Sequence, residues 1–422
     1  MELFLGLDFG TSGARAIAID PNGRIQAQAR CAYPDPASTN VAFDWQSTLW
    51  TLLDRLPLNC RQRLQAIAID GTSSTTLLCD SNGQPVLPPL MYNDPQARDW
   101  LPRLKQCAPA DHITLGATSG LVKLCWLLAR AGLDEKGYGL CQADWLGFLL
   151  HGQLGVSDYH NCLKLGYDVG DLCWPDWVRS LDVQKCVIGD YLPTVLPPGT
   201  PVATIRPDIA ECYGFPESCV INSGTTDSIA AFFASGARQF GQAVTSLGSS
   251  LAIKLLSACR VDDNERGIYS HRLGESWLVG GASNTGGAVL KHFFTDEELR
   301  ILSDRIDPAI ASPLHYYPLL EPGERFPIND PEFLPKLTPR PDCDAEFLHG
   351  LLEGMAAIEA RGYRLLATLG APAVTQVLTA GGGAQNQVWT AIRARNLGVP
   401  VAPSPQAEAA YGSALLARDG LN

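Results

Sequence analysis

A chain of 422 residues, 46% hydrophobic and 18% charged, exceeds one ordinary core and has the balance of a folded protein, so two domains are expected. No apolar stretch approaches the ~18–20 residues of a membrane span. The formal net charge of −12 disfavours nucleic acid and anionic membranes as partners, although local amides and one cation can still hold a phosphate.

The start, Met1-Glu2-Leu3-Phe4-Leu5-Gly6, has no basic region and runs straight into an apolar segment, so no signal peptide and a cytoplasmic address are expected. Leu3–Asp8 is nearly continuous in apolar residues and predicts a central strand. Phe9-Gly10-Thr11-Ser12-Gly13 is turn chemistry, Arg15–Asp20 resumes the strand, and Asp20-Pro21-Asn22-Gly23 turns again. Gln65–Asp70 predicts another buried strand, ending at Gly71-Thr72-Ser73-Ser74. Leu121–Ala131 and Ala143–Leu150 carry helical spacing. Val220–Ser223 reads as a short strand, and Asp227–Gly236 as a helix with Gly236 as its stop.

The second half opens with an echo of the first. Ala243–Leu247 predicts a strand, Gly248-Ser249-Ser250 a turn and Leu251–Leu256 a return strand. One such unit in each half implies an internal duplication, at a period too long for a solenoid. Residues 313–341 are proline-rich and aperiodic and read as a surface excursion. Phe347–Leu369 predicts a long helix, Gln376–Ala380 a strand feeding Gly381-Gly382-Gly383, and Asn386–Leu397 and Glu408–Arg418 the last helices. The 13 cysteines contain no CxxC pair; they read as buried free thiols, not as a zinc site or disulfide framework.

Five places carry candidate chemistry. Asp8 ends a buried apolar strand, where an unpaired carboxylate is costly; a hydrated Mg²⁺ on a nucleotide's phosphates is one partner it could have. Gly10 lets the backbone approach phosphate, and Thr11 and Ser12 add hydroxyl donors, although a tight hairpin alone also calls for such residues. Gly248-Ser249-Ser250 mirrors that hairpin. Gly381 to Asn386 lacks the Rossmann spacing, and the chain has no GxxxxGK[ST]; a side-chain-free surface there suits an adenine ring, while a plain turn is the simpler reading. Asp227, in Gly224-Thr225-Thr226-Asp227-Ser228, is either a helix cap or a general base, ionised near a helix N-terminus and able to take a hydroxyl proton in phosphoryl transfer. Asp70 to Ser73 offers fixed donors and acceptors at a strand end, as a neutral polyol requires.

Together these motifs resemble the FGGY carbohydrate kinases, in matching order almost end to end. Leu7 to Ser12 looks like the first phosphate motif and Gly224 to Ser228 like the connecting motif. Ser246 to Ser250 is similar to the second phosphate motif, Gly323-Glu324-Arg325 with Pro327 to a signature of the second domain, and Gly381 to Asn386 to the adenosine motif. The resemblance implies two RNase-H-like α/β domains of the actin and hexokinase type with a deep cleft. Residues 1–228 would form a sugar-binding domain on which a helix within 405–422 packs, and residues 229–404 a nucleotide-binding domain. It implies ATP and Mg²⁺, with Asp227 as base and Asp8 contacting the ion through water. Thr11 and Ser12 would face the transferred phosphate, and Gly248, Ser249, Gly381, Gly382 and Asn386 the nucleotide.

Departures bear on the sugar. Tyr92-Asn93-Asp94 with Arg98 stands where many members have Trp-x-Asp-x-x-Arg, and Phe43-Asp44-Trp45-Gln46 partly matches Trp-x-Glu-Gln. Asp70-Gly71-Thr72-Ser73 replaces a glutamine-containing pair. The likeness is strongest to the short D-ribulose kinases of photosynthetic organisms, through Ile69 to Ser73, Gln142 to Leu146 and Asp158 to Asn161. That branch implies that Asp8, Ser73, Asp227 and Ser228 contact a ketopentose phosphorylated on its primary hydroxyl. D-Xylulose kinase and an actin-like conformational ATPase are the alternatives.

Overall fold

The N-terminal apolar run folds as a central strand. In this computed structural model, which describes residues 2–34, 40–110, 112–132, 136–184 and 186–421, Leu3–Phe9 (β1), Gly13–Ile19 (β2) and Ile25–Ala32 (β3) form an antiparallel meander. Leu64–Gly71 (β4) lies parallel to β1 on its other side. Pro201–Thr204 (β5) and Val220–Asn222 (β6) complete the order β5-β6-β4-β1-β2-β3, and the two-residue Thr225–Thr226 (β7) pairs with the end of β4.

Alternation along β1 decides what covers each face. Leu3, Leu5, Leu7 and Phe9 are fully buried against Trp45, Leu49 and Leu52 of the Val41–Arg55 helix and Leu146 and Leu150 of the Gln142–His151 helix. Each such side chain contributes roughly 1.5–3 kcal/mol by leaving water. The opposite face receives the Ala409–Asp419 helix, whose Ala410, Ala414 and Ala417 pack with Ile17, Ile19, Ala66 and Ala68. Gly6 admits that helix, because a Cβ there would stand 1.9 Å from the Ala410 carbonyl oxygen. Contacts accordingly group the chain into two units, Met1–Ala234 with Glu408–Asn422, and Ser235–Ala407.

The second unit repeats the plan. Gln242–Leu247 (β8) and Leu251–Ser257 (β9) form the hairpin. Tyr269–Leu273 (β10) and Ser276–Ser283 (β11) extend it on the β9 side. Gln376–Ala380 (β12) and Val401–Pro403 (β13) run parallel to β8 on the other, giving the order β10-β11-β9-β8-β12-β13. Each sheet is thus an antiparallel hairpin, extended by a third antiparallel strand, with parallel strands added beside the first strand. That is the RNase-H-like plan, and the duplicated hairpins legible in the sequence begin both copies.

Several elements differ from the sequence reading. The helix opening at Asp227 stops at Ala234, and Gly236, at φ +82°, lies in the following turn. The helix expected from Asn386 begins at Gln387, with Asn386 as its cap. The proline-rich segment within residues 313–341 is not a mere surface excursion. Its Tyr316, Leu319, Glu324 and Phe326 are buried, and Phe326 joins a core with Phe347, Leu351 and Met355 of the 25-residue Asp344–Thr368 helix. All thirteen cysteines are free, but Cys107, Cys173, Cys212 and Cys259 are exposed. Among the described residues no helix is long and apolar enough to cross a membrane.

Candidate active site

Three neighbouring parallel strands of the first unit end together, and each delivers a candidate residue at its C-terminal end. The β1–β4 register places Asp8 opposite Asp70 and Phe9 opposite Gly71. The β7–β4 register places Thr225 opposite Asp70 and Thr226 opposite Gly71. Asp227 follows β7 directly and opens the Asp227–Ala234 helix. Polar groups at the carboxyl ends of α/β strands characteristically face a ligand crevice.

The carboxyls of Asp8 and Asp70 lie within hydrogen-bonding reach of each other. Asp70 is fully buried. Burial raises its pKa well above the usual carboxylate value, the charges of Asp8 and Asp227 push it further, and a hydrogen bond from Ser413 opposes the rise. Burial also raises Asp8, against the opposing hydrogen bond with Asp70 and the Arg15 guanidinium, whose Nη1 is 3.9 Å from Asp8 Oδ2. Ser413 Oγ donates to Asp70 Oδ2 at 2.5 Å, whereas Asp70 Oδ1 has no N–H or O–H donor aimed at it. Two adjacent buried carboxyls do not both ionise readily. Asp70, the more deeply buried of the two, is therefore the one held more strongly in its protonated form.

Sequence reasoning treated Asp70 as part of a polyol-binding segment and missed this pairing. It also missed Ser413 and Glu408, which the last helix brings to the strand ends; Glu408 holds Arg15 at 2.9 Å and Arg30 at 3.0 Å. The small-residue pattern of Glu408–Arg418 was the available signal, since a helix needs small side chains where it lies close against its neighbours, as Gly412 does against Ala230 O of the Asp227–Ala234 helix.

Beyond β1, Thr11 and Ser12 are exposed on the hairpin turn. A Cβ on Gly10 would meet only ordinary contacts, at 3.6 Å and 3.9 Å, so the fold itself does not demand glycine there. Tyr33 closes the turn from beneath by donating its hydroxyl to Gly10 O at 3.0 Å. Beyond β4, Gln142 Oε1 accepts from Thr72 N at 2.9 Å and from Thr72 Oγ1 at 3.0 Å. The next side chain, Ser73, has a buried Oγ without a hydrogen-bond partner. Asp227 is half-buried, its Oδ1 accepting from Ser228 N at 2.6 Å, and Ser228 is exposed.

The Asp158 to Asn161 motif supports β7 from behind. Asp158 Oδ1 accepts from His160 N at 2.8 Å and from Asn161 N at 3.0 Å. Asn161 Nδ2 bridges Asp158 Oδ2 at 2.6 Å and Thr225 O at 3.2 Å, and His160 Nδ1 lies 2.7 Å from Thr225 Oγ1. Thr225 is thus held two residues before Asp227.

In the second unit, Gly248, Ser249, Gly382 and Asn386 line one cavity of 820 Å³, together with Leu290, Leu299 and Ser303. Pairing of β8 with β12 puts their turns side by side: a Cβ on Gly381, at φ +85°, would stand 2.6 Å from Leu247 O. By contrast, a Cβ on Gly382 would meet nothing within 4 Å, and one on Gly248 only Ser250 O at 4.0 Å. Packing requires glycine at 381, whereas bare backbone at 248 and 382 is left open to a ligand. The Asn386 side chain is committed within the wall, where Oδ1 caps its helix by accepting from Trp389 N and Nδ2 donates to Ser303 Oγ, each at 2.9 Å.

A duplicated RNase-H-like fold, with carboxylates at the strand ends of one copy and a glycine-lined cavity in the other, defines the sugar kinase, hexokinase and actin class. Within that class the chain belongs to the FGGY family of carbohydrate kinases. Residues 3–234 match the family's N-terminal domain and residues 243–418 its C-terminal domain. Members use ATP as phosphate donor, so the chain is an ATP-dependent carbohydrate kinase. It is 25% identical to an L-fuculokinase of Salmonella typhi, over 98% of this chain and 91% of that protein. It is 23% identical to a xylulose kinase of Bacillus subtilis, over 100% of this chain and 88% of the relative. The solved gluconate kinase of Lactobacillus acidophilus superposes with a TM-score of 0.84 at 18% identity, covering 100% of this chain and 90% of that one.

Proposed function

We propose that this enzyme transfers the γ-phosphate of ATP to the primary hydroxyl of a ketopentose, D-ribulose, giving ADP and D-ribulose 5-phosphate. The reading is carried by the delivery of Asp8, Ser73 and Asp227 to adjacent strand ends, with the Ser73 hydroxyl buried and unpartnered. A neutral sugar needs such fixed donors and acceptors, because burying its hydroxyls unpaired is costly. The choice of D-ribulose follows the likeness of Ile69 to Ser73 and Asp158 to Asn161 to the short ribulose kinases. D-Xylulose, which differs in one hydroxyl's configuration, is favoured instead by the xylulose kinases among the relatives.

Asp227 is the base in this account. The N-terminus of its helix favours the anion, and the Ser228 N–H steadies one oxygen. The carboxylate accepts the sugar hydroxyl proton as the hydroxyl oxygen attacks phosphorus. Asp8, Ser73 and Ser228 orient the sugar. Gly10, Thr11 and Ser12 contact the transferred phosphate, while Gly248, Ser249, Gly381, Gly382 and the wall braced by Asn386 receive the nucleotide. Among the described residues no group of three or more His, Cys, Asp or Glu side chains could hold a metal ion. A hydrated Mg²⁺ would be touched through water by Asp8, with its other contacts supplied by phosphate oxygens. When bound, the ion would neutralise phosphate charge during transfer.

Replacement of Asp227 by alanine is expected to lower kcat by roughly 10²–10⁴-fold, the usual range for loss of a general base. Sugar-induced thermal stabilisation should persist. Near-parental turnover in that variant would remove Asp227 from the role.

A further inference from the structure

Lys123 lies within the Gly120–Ala131 helix and is fully buried. Its ammonium is spent on main chain: Nζ donates to Ser74 O at 2.9 Å, Met91 O at 2.6 Å and Tyr92 O at 3.1 Å. An ammonium has three N–H donors, so these carbonyls match its full capacity. The acceptors belong to two separate segments. One is the turn after β4 that carries Ser73, and the other is the turn that begins Tyr92-Asn93-Asp94. The same two segments meet again where Tyr92 N donates to Thr75 Oγ1 at 3.0 Å and where Thr76 and Leu90 exchange main-chain bonds at 3.0 Å and 2.9 Å.

Ser74 is one of the few non-glycine residues at positive φ, +69°. A side chain there is strained, and such a residue persists only when its surroundings hold it. Lys123 grips the carbonyl of that residue, and the residue before it presents the buried, unpartnered Ser73 hydroxyl. An apolar side chain would fill the same volume without burying a charge, whose desolvation is expensive. Packing therefore does not account for a lysine at this position.

We propose that Lys123 is a positioning residue for the sugar site, its ammonium fixing the Ser73–Ser74 turn and the Met91–Tyr92 turn in one arrangement. The inference rests on the reading that Ser73 contacts the sugar. Burial lowers the Lys123 pKa to about 8, while Asp94 and Cys141, the titratable groups that face it, act in the opposite direction. The Cys141 thiol is itself raised far above its usual value by burial and stays neutral. A neutral amine has two donors for three carbonyls and turns a lone pair toward the third, so deprotonation loosens the arrangement without unfolding it.

The test is steady-state ADP release from the full chain with ATP, Mg²⁺ and D-ribulose, between pH 6.5 and 9.5, for the parent and for Lys123→Met. In the parent, KM for D-ribulose should rise as pH passes about 8, with KM for ATP not following. At neutral pH Lys123→Met should raise KM for D-ribulose roughly tenfold or more, as misplacement of a binding loop does. Its KM for ATP should stay near parental, and its sugar KM should no longer depend on pH. A folded Lys123→Met with parental sugar KM, or one that keeps the alkaline rise, overturns the proposal. If the variant does not fold, the parent profile decides alone: a sugar KM flat through pH 8 overturns the proposal. A parent that releases no ADP with D-ribulose or any other sugar fails on the sugar reading itself, an outcome separate from an active parent with an indifferent lysine.

Discussion

At the scale of single residues, the site is organised by one proton. Asp8 and Asp227 are conspicuous in the sequence, because a carboxylate at the end of an apolar strand or the head of a helix asks for an explanation. The proton held by Asp70 was not legible, since it depends on burial and on a strand register that sets Asp8 beside it, against an opposing hydrogen bond from Ser413, 343 residues away. Its consequence for stability has a definite sign. A folded-state pKa raised above the ordinary 3.8 means the native state keeps a proton that the unfolded chain releases. The contribution is whole below the unfolded value and is lost as pH rises toward the folded one. Asp70→Asn supplies a permanent N–H donor toward Asp8 and still accepts from Ser413. Its stability relative to the parent should therefore increase steadily from about pH 4 upward. Urea denaturation at pH 4, 5.5 and 7 measures this, and a difference independent of pH would mean that Asp70 is ionised in the native state.

At the scale of elements, what the sequence concealed is pairing between distant segments. Glu359 and Arg393 are both fully buried and form a two-pronged ion pair, Nε to Oε2 at 2.6 Å and Nη2 to Oε1 at 2.7 Å. Thr245 Oγ1 donates to Glu359 at 2.5 Å and Arg393 Nη1 to Thr379 Oγ1 at 2.7 Å, so the Asp344–Thr368 and Gln387–Leu397 helices are tied to β8 and β12. Neither residue breaks its helical pattern enough to announce a partner 34 positions away. Glu359→Met or Arg393→Met alone should cost about 3–5 kcal/mol by stranding a buried charge, whereas the double replacement should cost much less than the sum. Additive losses in chemical denaturation would show that the pair is not coupled. The proline-rich segment was misread for a related reason. Its Glu324 accepts from Ser283 Oγ at 2.6 Å, Asn284 N at 2.8 Å and Tyr317 Oη at 2.8 Å. Those bonds hold an aperiodic chain in the core, where periodicity had no pattern to reveal it. The Ile25–Ala32 strand escaped notice because its alternation is between alanine and polar residues, a weak strand signal at a half-exposed position.

At the scale of the whole molecule, the duplication was the most legible feature. Two strand, glycine-and-hydroxyl turn, strand units announce two sheets whose first strands occupy equivalent places, and both parallel additions follow the same rule. Family membership gives the chemistry, phosphate transfer from ATP to a carbohydrate. The identity of that carbohydrate depends on which hydroxyl each polar group meets, and isomers differing at one carbon are separated only by such placed bonds. The most direct measurement is ADP release with ATP and Mg²⁺ across D-ribulose, D-xylulose, L-ribulose, glycerol and no sugar. The account predicts release that depends on D-ribulose and is weak or absent with the others. Release that is equally fast without sugar would contradict it and point to a conformational ATPase, and release driven by another polyol would keep the kinase but replace its substrate.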